Sequence, residues 1–183
     1  RDFGENKIQD MVEKHDQLPK DIRWHMIGHV QRNKIKYMAS FVKLIHGVES
    51  FRVLKEISKQ ANKHQRTIDC LLQIKIASED SKFGMTASDA TNILSSREFS
   101  ELEGIRVVGL MGMATFTNDQ DQIRQEFKRL KSIWESLSKI PSPNTDLKII
   151  SMGMSGDYQL AIECGSTMIR VGSSIFGARS YIN

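Results

Sequence analysis

Ser151-Met152-Gly153-Met154-Ser155-Gly156-Asp157 follows the apolar stretch Lys148 to Met152 and precedes a helical run through Leu160, Ala161 and Ile162. The order reads as strand, tight turn, helix. Such a turn offers free backbone N–H groups and a serine hydroxyl at a helix N-terminus, where a phosphate dianion is stabilised. One unit later, Arg170-Val171-Gly172-Ser173-Ser174 repeats the arrangement with a strand, a glycine that lets a ligand approach the backbone, and two hydroxyls. These are the last two loops of the chain. In (β/α) barrels the loops after strands seven and eight frequently build one shared phosphate site at the C-terminal face. A serine N-cap with a turn glycine accounts for either loop alone; the pair in this order favours a barrel. Arg170 sharpens the reading, because a guanidinium within a buried parallel strand is costly unless it is paired or faces a polar ligand. Its alternative is an internal ion pair with Glu163.

Outward from these loops, short apolar runs rich in β-branched residues alternate with longer stretches of helical period, the pattern of repeated βα units around a parallel sheet. The expected strands are Arg1 to Gly4, Arg23 to Ile27, Val42 to His46, Asp69 to Ile76, Arg106 to Met111, Lys148 to Met152 and Met168 to Val171. Seven is an odd count for a closed barrel. Phe51, Leu54, Ile57 and Ala61 make one apolar helix stripe, and Ile123, Phe127, Leu130, Trp134 and Leu137 make a longer one. The longer helix has a cap-forming entry at Thr117 to Asp121, with Pro141 and Pro143 beyond its end. Ile8, Met11 and Val12 suggest a helix ending before Pro19, and Ala87 to Ser95 another. A doubly wound open sheet shows the same alternation, so the phosphate loops, not the alternation, point to the barrel.

The chain has 183 residues, 39% hydrophobic and 26% charged, as expected of one domain with a sizeable core. Its net charge of +4 is spread without a block of like charge. Lys34 to Lys36 and Lys59 to Arg66 lack interleaved aromatics, so they read as solvated helix faces, and nucleic-acid binding is not expected. Cys70 and Cys164 lie far apart in apolar stretches, as reduced core thiols do in a cytoplasmic protein. No apolar run approaches the roughly 20 residues needed to span a bilayer, and the polar start from Arg1 to Gln9 is not a signal peptide.

Phe3-Gly4-Glu5-Asn6 and Trp24-His25-Met26-Ile27-Gly28-His29 are strand ends with small or polar residues placed to line the same face. No cysteine or carboxylate set completes a metal site with His25 and His29, so both are expected to be satisfied structural histidines, with no metal bound. Glu79-Asp80-Ser81-Lys82-Phe83-Gly84 puts a lysine in a loop at that face, either as a ligand contact or as a solvated charge. The Met111-Gly112-Met113 and Met152-Gly153-Met154 pairs read as core and strand-end packing.

These stretches, with Gln9, Val30-Gln31, Asn33-Lys34, Gly109-Leu110-Met111 and Ile175-Phe176-Gly177, resemble in order and spacing the PLP-homeostasis proteins, the PLP-binding or YggS-type family. That family is similar to the N-terminal barrel domain of alanine racemase, and the resemblance covers essentially the whole chain. It implies an α/β fold, a (β/α)8 TIM barrel, as one PLP-binding domain over residues 1–183. It also implies pyridoxal 5′-phosphate as cofactor, with Ser155, Gly172 and Ser173 on its phosphate and Arg170 at the pyridine nitrogen. Asn6, Ile27 and Gly28 would line the pocket, and Lys82 matches a family lysine near its entrance. An arginine opposite the ring nitrogen disfavours its protonation and makes the ring a weaker electron sink than one facing a carboxylate. In the family, the Schiff-base lysine ends the first barrel strand, ahead of the Phe-Gly-Glu-Asn motif. Here that lysine is expected upstream of Arg1, and the barrel is expected without its first strand and helix, exposing two sheet edges as an aggregation liability.

The implied role is intracellular PLP (vitamin B6) homeostasis, carrying or buffering the cofactor without a reaction of its own, with PLP-dependent acceptor enzymes as partners and a monomer as the assembly. A PLP-dependent racemase-like enzyme is the main alternative, and it needs an imine lysine and a second acid or base across the ring. A barrel enzyme acting on another phosphorylated small molecule, or an interaction protein with a vestigial pocket, remain further readings.

Overall fold

The computed structural model describes residues 1–78 and 83–177. Seven strands form one sheet in chain order: β1 (Asp2–Glu5), β2 (Arg23–Met26), β3 (Leu44–Val48), β4 (Ile68–Gln73), β5 (Ile105–Met111), β6 (Thr145–Met154) and β7 (Met168–Arg170). Every neighbouring pair is parallel. A doubly wound sheet reverses its strand order at a switch point, and this sheet does not. It curls into a nearly closed barrel with β1 and β7 at its two ends. His46 on β3 lies 3.1 Å from the Ser151 hydroxyl on β6, whereas three strand spacings in a flat sheet would separate them by about 14 Å.

All seven expected strands form, with shifted limits. The third starts at Leu44 rather than Val42, and the sixth extends back to Thr145. The connecting helices are α1 (Ile8–Gln17), α2 (Ile35–Met38), α3 (Phe51–Lys63), α4 (Ala87–Leu94), α5 (Arg97–Ser100), α6 (Gln120–Leu137), α7 (Tyr158–Glu163) and α8 (Ser173–Phe176). Helices α2, α5 and α8 were not anticipated, since four residues are too few to show a 3.6-residue period. No helix among the described residues is long and apolar enough to cross a membrane.

Strand pleating divides the apolar residues into two cores. Ile45, Cys70, Leu72 and Met152 face the helices and pack with Leu54 and Ile57 of α3 and Phe127 and Leu130 of α6. Leu44, Leu71, Val108 and Met111 form a smaller cluster inside the barrel, joined by Met113, Ile149 and Met168. Both cysteines are buried and free, and burial pushes the Cys70 thiol well above its ordinary range. Of the paired methionines, Met111 and Met152 are core, but Met154 is half exposed at the rim. Arg66 departs from the solvated face expected for Lys59 to Arg66: its guanidinium donates to the carbonyls of Ala39 (2.7 Å) and Val42 (2.9 Å) and closes the C-terminal end of α2.

Helix α6 is fixed at its start by Asp119, whose carboxylate accepts from the N–H groups of Asp121 (3.0 Å) and Gln122 (3.1 Å). Two turns on, buried Glu126 gathers two loops. It accepts from the Thr115 N–H (2.6 Å) and hydroxyl (2.7 Å) after β5, and from the Ser78 N–H (3.2 Å) after β4. Burial alone would raise its carboxyl pKa, but these hydrogen bonds and one from Gln122 outweigh it and hold the pKa below the ordinary value.

A carboxylate with a depressed native pKa adds stability that is complete above its unfolded value of about 4.3 and is lost as pH falls through the lower native value. Glu126→Ala is expected to lower the stability above that range by about 1–3 kcal/mol, because it leaves buried donors unpaired. Urea unfolding at neutral pH and again at low pH checks this, and the difference from wild type should shrink at low pH. Amide exchange at Ser78 and Thr115 should accelerate in the variant.

Candidate functional site

Because all strands are parallel, the loops after them open on one face of the barrel. Asn6 follows β1, Ile27 and Gly28 follow β2, Ser155 follows β6, and Gly172 and Ser173 follow β7. The two expected phosphate loops meet. The Ser155 hydroxyl oxygen accepts from the backbone N–H of Gly172 (3.1 Å) and of Ser174 (3.4 Å). The Asp157 carboxylate accepts from the Met154 N–H at 2.6 Å and tightens the first loop. Gly153 starts that turn at φ +96°, and a Cβ there would lie 2.6 Å from the Ala161 methyl of α7, so only glycine lets the helix follow the strand this closely. Gly156 and Gly172 instead border open space, with no heavy atom within 4 Å of where a Cβ would sit. Ser173 begins α8 and is exposed; the second N–H aimed at Ser155 belongs to Ser174.

Arg170 at the end of β7 is partly buried, and Glu163 is not its partner: Glu163 pairs with Arg124 at 2.9 Å. Among the described residues its hydrogen bonds go to uncharged oxygens. Nη1 donates to the Ser151 hydroxyl (2.7 Å) and carbonyl (2.9 Å), and Nη2 to the Gly112 carbonyl (3.1 Å). Burial, opposed by the charge of Asp157, draws its pKa down to about 10, so it remains a cation at neutral pH.

Ser151 continues inward. Its hydroxyl lies 3.1 Å from His46 Nδ1, His46 Nε2 lies 3.2 Å from His25 Nδ1, and His25 Nε2 lies 3.3 Å from the Asp2 carboxylate. Burial lowers the pKa of both imidazoles. For His46 the nearby Arg170 and His25 add to the effect; for His25 the Asp2 carboxylate opposes it. His25 is thus satisfied through both ring nitrogens, as expected, and His29 pairs with Glu49 at 3.3 Å and stacks on Phe83. The sequence reading passed over His46 and the Ser151 hydroxyl. The signal was pleat alternation: His46 stands two residues after Leu44, Ser151 two after Ile149 and Arg170 two after Met168, each on the barrel side of its strand.

On the β1–β2 side, a Cβ on Gly28 would lie 2.2 Å from the Asn6 carbonyl oxygen, so Gly28 has a packing requirement independent of any ligand. Asn6 borders a cleft of about 290 Å³ shared with Gln9, His29, Gln31 and Lys34. Among the described residues no hydrogen bond joins Asn6, Ile27 or Gly28 directly to Ser155, Gly172 or Ser173; the link is the chain from His25 through His46 to Ser151. Lys82 lies outside the described residues. No three His, Cys, Asp or Glu side chains among the described residues converge as metal ligands.

The model of the family described as alanine racemase, N-terminal domain, matches residues 1–180. A pyridoxal phosphate homeostasis protein of Aquifex aeolicus is 34% identical over 181 residues, which cover 98% of this chain and 77% of that protein. The structure of PipY from Synechococcus elongatus without PLP superposes with a TM-score of 0.88 at 30% identity, covering 96% of this chain and 81% of that one. The PipY structure with PLP bound superposes at 0.85, with 29% identity and the same coverage.

Gly28→Ala should force the turn after β1 away from β2. A loss of stability of about 1–3 kcal/mol by urea unfolding is expected, with chemical-shift changes spreading to Asn6. Gly156→Ala, in open space, should leave stability within about 0.5 kcal/mol of wild type.

Proposed function

The chain belongs to the alanine racemase N-terminal domain family, and we propose that residues 1–183 act as one pyridoxal 5′-phosphate-binding barrel domain of the PLP-homeostasis type, carrying or buffering the cofactor without a reaction of its own. The carrying observation is the convergence of the Gly172 and Ser174 N–H groups on the Ser155 hydroxyl, beside open space at Gly156 and Gly172 and above a cationic Arg170. These residues fit the cofactor. An anionic phosphate suits hydroxyl and N–H donors, and a pyridine nitrogen suits a guanidinium. The names of the relatives support the same reading, since the Aquifex protein is called a pyridoxal phosphate homeostasis protein and PipY has been solved with PLP bound.

In this reading Ser155, Gly172 and Ser173 hold the phosphate, with the Ser174 N–H as a further donor. Asn6, Ile27 and Gly28 line the other side of the pocket, and Lys82 stands near its entrance. Bound PLP supplies an aldehyde that takes up amines and a ring that draws electrons from them. Arg170 limits the second capacity. A cation held by neutral oxygens keeps a proton off the ring nitrogen and leaves the ring a weak electron sink, which suits storage rather than turnover. A monomeric cytoplasmic carrier that passes PLP to dependent enzymes completes the proposal.

PLP titration by absorbance and equilibrium dialysis tests it. Saturable binding is expected, weakened about ten- to a hundredfold by Ser155→Ala, the effect of losing one hydrogen bond to a charged group. Competition by simple sugar phosphates as strong as PLP itself would transfer the site to another phosphorylated ligand. Racemisation of alanine with added PLP would establish the enzyme reading in place of the carrier.

A further inference from the structure

The polar chain inside the barrel has a direction dictated at both ends. Arg170 has only donors to offer, and the Asp2 carboxylate only acceptors. Between them the proton positions follow: His25 Nε2–H donates to Asp2, leaving Nδ1 bare; His46 Nε2–H donates to that nitrogen, leaving its own Nδ1 bare; the Ser151 O–H donates to His46; and the Ser151 oxygen accepts from Arg170. Reversing the order would set a bare His25 Nε2 against the Asp2 carboxylate, lone pair against lone pair. Protonating either ring instead would bring another cation among fixed ones, because Arg170 and His25 face His46, while Arg23 and Lys43 act on His25 together with Asp2. Both imidazoles are therefore neutral Nε2–H tautomers, and the one mobile donor in the chain, the Ser151 hydroxyl, has a single orientation that leaves its oxygen open to the guanidinium.

We propose that Ser151 and His46 are positioning residues for Arg170, and that the one-way chain running through them to His25 and Asp2 fixes where the guanidinium points and so which atom of a bound cofactor ring it faces. The inference rests on the PLP-binding reading above. It adds that the ring's electronic state is set from inside the barrel, by residues on β3 and β6 that do not touch the cofactor. The Gly112 carbonyl holds Nη2 and the Ser151 carbonyl shares Nη1, but among the described residues only the Ser151 hydroxyl ties Nη1 to the two histidines. Without His46 as acceptor that hydroxyl can rotate, and the guanidinium gains a second orientation.

The experiment has two arms. In the first, nitrogen-15 NMR of the histidine side chains in the protein without cofactor reads the tautomers directly. His25 and His46 should both carry a single proton on Nε2 from neutral pH to about pH 8.5. A proton on His46 Nδ1, or a doubly protonated ring at neutral pH, would overturn the chain whether or not PLP binds. In the second arm, PLP labelled with nitrogen-15 in its ring is added to wild type, Ser151→Ala, His46→Leu and His46→Gln. Wild type should show an unprotonated ring nitrogen across that pH range. Ser151→Ala and His46→Leu should show a ring signal that moves with pH and an affinity lowered about three- to tenfold, while His46→Gln, which can both accept and donate, should recover most of the wild-type behaviour. Ring signals unchanged in both Ser151→Ala and His46→Leu would overturn the positioning role. Ser151→Ala is a small change, so that comparison stands even if His46→Leu fails to fold. Failure of wild type to bind PLP, with the tautomers as expected, would remove the PLP reading and with it the positioning role, leaving the chain as a structural network.

Discussion

A guanidinium held inside a barrel by uncharged oxygens among the described residues is the constraint around which the interior is arranged. Desolvating such a charge costs several kcal/mol unless its donors are met, and the barrel meets those of Arg170 with a hydroxyl and two carbonyls drawn from β6 and the end of β5. The polar groups that follow, Ser151, His46 and His25, share the barrel interior with an apolar cluster of Leu44, Leu71, Val108, Ile149 and Met168: His46 and Ser151 stand two residues beyond Leu44 and Ile149, and His25 is in register with Leu44. The interior thus combines an apolar cluster with a polar chain, and the polarity is directional rather than merely present. It also spans the barrel: one end lies on β1 and the other on β7, the two ends of the sheet order.

The exterior follows a simpler rule. Helices α3 and α6 each lay one apolar stripe on the sheet, and the strand residues that meet them, such as Ile45, Cys70 and Leu72, alternate with those that face inward. The outer core supplies most of the buried apolar residues and the inner layer few. Stability and ligand chemistry are therefore separated by the pleat of each strand.

This separation explains what was legible in the sequence. The strands, the long helices and the two phosphate loops announce themselves through periodicity and turn chemistry, which are local. Ser155 and Gly172 were found because each sits in such a loop, and their meeting through one hydroxyl follows from the neighbouring order of β6 and β7. Arg170 was conspicuous as a charge in a strand, but Glu163, seven residues away, was a poor guess at its partner. Contacts across a barrel join residues remote in sequence, and Ser151 to His46 spans 105 positions. His46 was missed for that reason: pleat alternation puts it on the same side of its strand as Leu44, but its partner across the barrel shows only once the sheet curls. The short helices α2, α5 and α8 escaped because one turn carries no period, and Arg66 because its task, donating to the Ala39 and Val42 carbonyls after α2, depends on a loop brought back to it.

The Glu126 carboxylate carries a consequence for how the length of this chain can vary. One side chain on α6 holds backbone N–H groups from the loops after β4 and β5. Each residue inserted or deleted between Asp119 and Glu126 would rotate that carboxylate by about 100° around the helix axis and release both loops together. Beyond Leu137 the helix ends before Pro141 and Pro143, and the next such anchor is Asn144, whose amide donates to the carbonyls of Phe99 and Leu102 at 2.8 Å each, so a change of length between the helix end and Asn144 leaves both anchors in place. The first turns of α6 therefore act as a fixed ruler and its far end as a joint, so related chains should differ in length after the helix and keep its opening span constant.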